Sequence, residues 1–210
     1  MNQKIKRILM TISGVLICGF SAGMFDFASF GMDPFQVFAH GIWKHTTLSF
    51  GTFYMLVNLI LLLIIFLLDK SKIGLGTIIN MFLLGYVVQF SSWLWKSVVF
   101  PNAALPIRLL FLLLAIVIMC LSSALYFTAD MGVSTYDAVA LILYKRMNWS
   151  FRLTRIGTDL VCVAIGFALG AIVGIGTLVT AFFMGPLISF FNLHVAEPLL
   201  SDKKAEKKSH

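Results

Sequence analysis

Asp159 stands four residues after Arg155 inside an otherwise apolar run, and Asn58 stands at a matching place in another such run about a hundred residues earlier. Holding an acid or an amide among apolar neighbours is expensive in hydrocarbon, so such a residue is there for a partner or for a function. On a helix, i to i+4 spacing puts Arg155 and Asp159 on one face with Arg152. Cys162, Gly166 and Gly170 continue that face with small side chains, which points it into a helix bundle. Two kinds of chemistry suit this set: a buried ion pair that fixes helix register, or a site that takes up a solute or a proton. Asp137 and Asn80 complete the candidate solute-binding set of Asp159, Asn58, Arg155, Asp137 and Asn80. Thr77, Asn80 and Gln89 read either as interhelical hydrogen-bond partners or as pore polarity.

The sequence holds no phosphate loop, nucleophile elbow, zinc signature or convincing carboxylate dyad, so no enzymatic activity, metal or cofactor is expected. Cys18, Cys120 and Cys162 are odd in number, widely spaced and inside apolar runs, which suits packing rather than disulfides or a metal site. His40, His45 and His194 show no ligand spacing and default to interfacial placement. Asp26 shares a face with Gly19 and Ala22 near the outer end of the first run, where Lys96 or Arg108 would neutralise it.

The elements that must hold these residues are transmembrane helices. The chain is 60% hydrophobic and 12% charged, with a mean hydropathy of +0.95, far above a soluble domain. Apolar runs long enough to cross a hydrocarbon core of about 30 Å cover residues 8–30, 50–68, 73–95, 107–127, 151–173 and 175–193. The expected fold is therefore an all-α, polytopic membrane protein with six spans, the last two joined by a tight hairpin. The opening MNQKIKRILMTISGVLICGFSAG imitates a signal peptide, but with five further spans it is read as an uncleaved first helix.

The formal net charge of +7 is explained by its placement rather than by a nucleic-acid partner. With six spans and the N-terminus inside, thirteen of the sixteen Lys and Arg fall on the cytoplasmic side, and only Lys44, Lys96 and Arg108 fall outside. Both termini are thus expected in the cytoplasm, with the charged tail 199–210 touching solvent or anionic lipid.

The sequence also repeats itself. GMDPFQVFAHGIWKHTTLSF and GVSTYDAVALILYKRMNWSF align at an offset of 101, sharing Gly31/Gly132, Ala39/Ala140, Lys44/Lys145, Ser49/Ser150 and Phe50/Phe151. GLGTIINMFLLG and GIGTLVTAFFMG follow at an offset of 100, pairing Gly74/Gly174, Gly76/Gly176, Thr77/Thr177, Phe82/Phe182 and Gly85/Gly185. The ordered series implies a duplication, residues 1–100 and 101–198. Three spans per half is an odd number, so the second copy starts on the opposite side of the membrane and the repeats are inverted. Inversion accounts for the charged hairpin DKSK at 69–72 against its bare counterpart LGAIV at 169–173. Gly74, Gly76, Gly174 and Gly176 are expected to permit a turn and close backbone approach, and Gly85 and Gly185 to let helices pack.

Between the first and second span of each half lies a segment too short to cross, 33–47 and 134–148. Asp33-Pro34 looks like an N-cap with proline at the first helical position, and Ser134 to Asp137 like a capping box. Each short helix lies flat at the interface, with Trp43 or Tyr144 at headgroup level, or dips in as a re-entrant half-helix whose N-terminal dipole faces anionic groups.

The paired G-x-G-T stretches, with Gly31-Met-Asp-Pro-Phe-Gln and Gly132-Val-Ser-Thr-Tyr-Asp after the first span of each half, resemble the YczE/YyaS/YitT family of bacterial integral membrane proteins. The likeness runs from the first span to Leu193; Gln36 and Thr135 depart from the family's pattern of proline, aromatic and aspartate. It implies a transporter-like protein of the bacterial cytoplasmic membrane. The expected function is movement of a small solute by alternating access, with Asp159 and Asn58 near the midplane. Asp159 lies about 12 Å from Phe151 along its helix, and Asn58 about as far from Phe50. A membrane subunit of a multicomponent transporter and a non-transporting scaffold are the rivals. The expected partners are the lipid bilayer, an unknown small solute and, as a possibility, further copies of the chain.

Overall fold

The computed structural model of the chain describes residues 3–99, 103–147 and 150–200. The expected tail beyond Leu200 and the end of the segment 134–148 lie outside those residues. Among them the structure is helical throughout, with no strand. The first half contains α1 (Gln3–Ala28), α2 (Pro34–Trp43), α3 (Phe50–Leu68) and α4 (Leu75–Trp93), which runs on through a π turn at Leu94–Val99. The second contains α5 (Leu105–Ala129), α6 (Thr135–Met147), α7 (Phe151–Ala168), α8 (Ile175–Phe182) and α9 (Met184–Phe191).

The span count differs from the expected six. By length and composition α1, α3, α5 and α4 with its continuation qualify to cross a membrane, and α8 with α9 makes a fifth if the bent pair is one span. The run expected at 151–173 ends as a helix at Ala168 and carries Arg152, Arg155 and Asp159. The run expected at 175–193 bends by 59° between Phe182 and Met184. Pro186 explains the break: it has no N–H to donate, and its ring clashes with the carbonyl four residues back, at Phe182. Tyr86 holds the corresponding place in the first half, and α4 passes through it unbroken. Large apolar side chains such as Leu63, Leu67, Leu113, Leu160 and Phe167 face outward. That is the surface a bilayer accepts, and one water does not in such quantity.

At the centre α1 and α5 lie antiparallel. Their contacts run Arg7 to Ala129, Gly14 to Ser122, Cys18 to Met119, Ser21 to Ala115 and Ala28 to Arg108, so that residue numbers rise on one helix as they fall on the other. Several contacts between the halves come in pairs related by the repeat offsets of 100 and 101. Arg7 Nη1 donates to Ala129 O at 3.1 Å, and Arg108 Nε donates to Ala28 O at 3.0 Å. Gly76 N donates to Met131 O at 2.7 Å, and Gly176 N to Phe30 O at 2.8 Å. Lys145 pairs with Asp69 at 3.6 Å, and Lys44 donates to the carbonyl of Gly170.

The G-x-G-T glycines act by size alone. Gly74 and Gly174 have extended backbones, φ −139° and −168°, so no turn requires them. A Cβ on Gly74 would strike Met131 O, and one on Gly174 would lie 2.5 Å from Phe30 O. A left-handed backbone is taken instead by Gly31 (φ +94°) and Gly132 (φ +107°), which sit against Gly174 and Gly74 respectively, and by Gly170 (φ +81°). Gly85 packs as expected, against Tyr54, whereas Gly185 has nothing within 4 Å of where a Cβ would stand.

The short helix α2 is buried in the protein rather than lying on its surface: Phe35, Gln36, Val37, Ala39, His40 and Gly41 are all covered. It crosses α7 where Gly41 meets Gly166, and the Gly166 position also abuts Val37 O. The corresponding crossing of α6 and α3 is filled by Ile142 and Ile65 instead.

Candidate functional site

One cavity of about 620 Å³ lies between the halves. All five residues of the candidate set, Asp159, Asn58, Arg155, Asp137 and Asn80, line it. The first turns of α2 and α6 both end on it, through Asp33 to Gln36 and Ser134 to Asp137, and Cys18 and Met119 form part of its wall.

Local chemistry sets each side chain. Ser150 caps α7 by accepting from Leu153 N at 3.3 Å, which starts the helix that carries Arg155 and Asp159. Ser49, its counterpart, caps α3, accepting from Thr52 N at 3.4 Å and leading to Asn58. One arm of the box expected at Ser134 forms, Ser134 Oγ accepting from Asp137 N at 3.1 Å, while Asp137 Oδ2 accepts from the Ser134 hydroxyl at 2.6 Å rather than from its backbone N–H. At the head of α2, Asp33 Oδ1 accepts from Phe35 N at 3.2 Å and Gln36 N at 3.3 Å. The anionic group expected before the α2 dipole is therefore that helix's own cap.

The expected Arg155–Asp159 pair is present at 3.5 Å, but it is one arm of a larger cluster. Arg155 also pairs with Asp137 and lies over the Tyr136 ring at 4.5 Å from its centroid. Tyr136 in turn donates its hydroxyl to Asp159 Oδ1 at 2.5 Å. The guanidinium is thus shared by two carboxylates, through Nη1 and Nε, and an aromatic face, which fixes its position. Asn58 is buried and held by Thr135, whose hydroxyl donates to its Oδ1, and by its own bond to Tyr54 O at 2.7 Å. Asn58 and Asp159 are thus each tied to the first turn of α6, Thr135 and Tyr136, and no contact joins them directly among the described residues. Asp26, as expected, pairs with Lys96 at 2.8 Å, away from the cavity.

Tyr136, Gln36 and Tyr126 were not singled out from sequence, yet all three line the cavity. Phe35 stacks on Tyr136 at 4.8 Å with an interplanar angle of 14°, so the first turns of the two short helices meet face to face. The signal for Tyr136 was its place in the Ser134 to Asp137 motif, and that for Gln36 its departure from the family's pattern; nothing in the sequence marked Tyr126.

The two ends of the cavity differ. At the start of α3, Gly51 abuts the Tyr86 ring, Gly85 abuts Tyr54, and His40 stacks on Phe50 at 4.2 Å. At the start of α7 the counterparts Arg152, Pro186, Gly185 and Arg155 line the cavity instead of closing on one another.

A family described as a family of unknown function, DUF6198, matches residues 5–193. The chain belongs to this family. It is 26% identical over 186 residues to an uncharacterized protein of Haemophilus influenzae, covering 89% of this chain and 83% of that one. It is 19% identical over 190 residues to the uncharacterized membrane protein YczE of Bacillus subtilis, covering 90% and 86% of the two chains. It is also 23% identical over 191 residues to the uncharacterized protein YyaS of Bacillus subtilis, covering 91% and 94%. The resemblance drawn from the glycine motifs thus narrows to the YczE and YyaS names. No solved structure matches.

Proposed function

We propose that this DUF6198 chain is a small-solute transporter of the bacterial cytoplasmic membrane, built from inverted halves and working by alternating access. The observation that carries the reading is the cavity itself: it lies between the halves, and the intramembrane amide and acid groups, Asn58 and Asp159, sit on its wall. Antiparallel α1 and α5, with contacts recurring at an offset of 101, support inversion of the halves. The tight start of α3 against α4 and the separated start of α7 against α9 support a structure open at one end and shut at the other. Both termini are assigned to the cytoplasm on the distribution of Lys and Arg, which with the bent α8–α9 pair as a fifth span takes the charged helix α7 as a sixth crossing.

The test uses Cys18, which lines the middle of the cavity. With Cys120 and Cys162 replaced by Ala, an impermeant maleimide is applied to right-side-out and to inverted vesicles. Alternating access expects labelling of Cys18 from both sides at different rates. Labelling from one side only would favour a substrate-binding subunit, and none from either side a scaffold.

A further inference from the structure

Two carboxylates on the cavity wall are already answered. Asp137 and Asp159 share Arg155, and each takes a further bond, from Ser134 and Tyr136. Asp33 is different. Its Oδ1 serves as the α2 cap, and among the described residues no cation lies within ion-pair distance of it. Three residues on, Gln36 is 97% buried and lines the same cavity, and its carbonyl Oε1 accepts from nothing. The Tyr126 hydroxyl, 92% buried across the cavity on α5, is likewise without a partner. Buried acceptors left unfilled cost free energy, and the usual reason for keeping them is a ligand that fills them.

The unfilled groups have a common character. A carboxylate and an amide oxygen accept only and the Tyr126 hydroxyl can accept as well as donate, so all three can be met by a donor, and the carboxylate calls for positive charge. The wall beside them is aromatic: Phe35 stacked on Tyr136, and Tyr54 at 5.6 Å edge-on to Phe35. An acid beside an aromatic wall suits a cation with an apolar body, which meets ring edges here, since Arg155 and Phe35 lie over Tyr136, and Phe38 stacks on Phe35 in turn. A volume of about 620 Å³ is far more than a bare ion occupies, and among the described residues no group of His, Cys, Asp or Glu is arranged to hold a metal. Arg152 lines the cavity too, but from the exposed first turn of α7, not beside Asp33.

We infer that the cavity takes an organic cation bearing N–H donors, its ammonium or guanidinium head set against Asp33 and Gln36 and its apolar body against Phe35, Tyr54 and Tyr136. This rests on reading the cavity as a solute site and names the solute's class.

The full chain in lipid nanodiscs, titrated calorimetrically with phenethylammonium, tests it. Saturable binding is expected, weakened about tenfold or more by Asp33→Asn, which removes the charge but caps a helix as well as aspartate does. Gln36→Leu should weaken it several-fold. The trimethylated analogue, charged but without N–H, should bind less tightly, and phenylacetate not at all. No saturable binding to the unaltered chain, equal binding of phenylacetate, or equal binding to a correctly folded Asp33→Asn variant would each overturn the inference. So would an Asp33-dependent signal from sodium chloride with none from phenethylammonium. If Cys18 still labels from both sides while phenethylammonium fails to bind, the cation class falls and the transporter reading stands.

Discussion

The sulfur of Cys18 lies 3.5 Å from the sulfur of Met119, and the two residues are counterparts at the offset of 101. In a pair of helices related by a two-fold axis, only residues beside the axis touch their own counterparts. Since α1 and α5 run antiparallel there, the axis would pass across the helices rather than along them, the geometry proposed for inverted halves. With Cys120 and Cys162 replaced, a Met119→Cys variant should form a disulfide with Cys18 inside one chain under mild oxidation, read as an intact-mass loss of two hydrogens. Cross-links between chains only would place the two sulfurs elsewhere.

Small residues where the halves touch should be far less replaceable than those elsewhere. Gly174→Ala places a methyl 2.5 Å from Phe30 O and should cost about 1–3 kcal/mol. Gly185→Ala meets nothing within 4 Å and should be neutral or slightly stabilising. Thermal unfolding of the two variants in the same detergent makes the comparison, and equal losses would count against the packing role of the motif.

The Arg155 cluster should respond asymmetrically to substitution. Asp159→Asn keeps an acceptor for Tyr136 and should leave membrane insertion intact while abolishing flux or binding. Arg155→Leu strands Asp137 and Asp159 together, their side chains 19% and 7% exposed. Because Arg155 is itself a third exposed, the cost should be about 2 kcal/mol, below the 3–5 typical of a fully buried pair. Unfolding midpoints and solute flux on the same preparations separate the two effects.

Alternating access makes a further demand on the ends of the cavity. A Tyr54→Cys, Gly85→Cys pair should cross-link once the helices part slightly, since a Cβ at Gly85 stands 2.8 Å from that of Tyr54 and a disulfide needs about 3.5–4.5 Å. The counterpart pair, Arg155→Cys with Gly185→Cys, should cross-link only when the molecule closes at that end. Trapping by the first pair should restrict Cys18 labelling to one side, measured by maleimide incorporation.

Outside the membrane, Asp69 accepts from the Ser71 hydroxyl and backbone and pairs with Lys145, which together hold its carboxyl below the usual value of 3.8. A carboxyl depressed in the folded state contributes stability above its unfolded value and loses it as the pH falls through the folded one. The gap in melting temperature between the unaltered chain and Asp69→Asn should therefore be present at neutral pH and vanish in acid. The effect should be small, because the group is exposed.

Much of this was legible in the sequence because cost in hydrocarbon marks residues individually. Asp159, Asn58, Arg155, Asp137 and Asn80 were picked out as polar groups in apolar surroundings or as a cap, and they line one cavity. Ordered identities between the two halves of the chain were legible too, and the bounds of α3 match the expected 50–68. What stayed hidden depends on long-range contact. That Gly74 and Gly174 touch the carbonyls of Met131 and Phe30 in the other half cannot be read from spacing. Neither can the partner of Arg155 across on α6, nor the missing partner of Gln36. The break before Pro186 was available from local chemistry, but the apolar run around it masked it.

The exchange of Gly41 and Gly166 at one crossing for Ile142 and Ile65 at the other breaks the equivalence of the two ends. A duplicated chain with identical crossings would rest with equal ease facing either side. Under the alternating access proposed above, unequal side chains at matched places would give the resting molecule a handed preference, one that could be adjusted at a single crossing without disturbing the chamber between them.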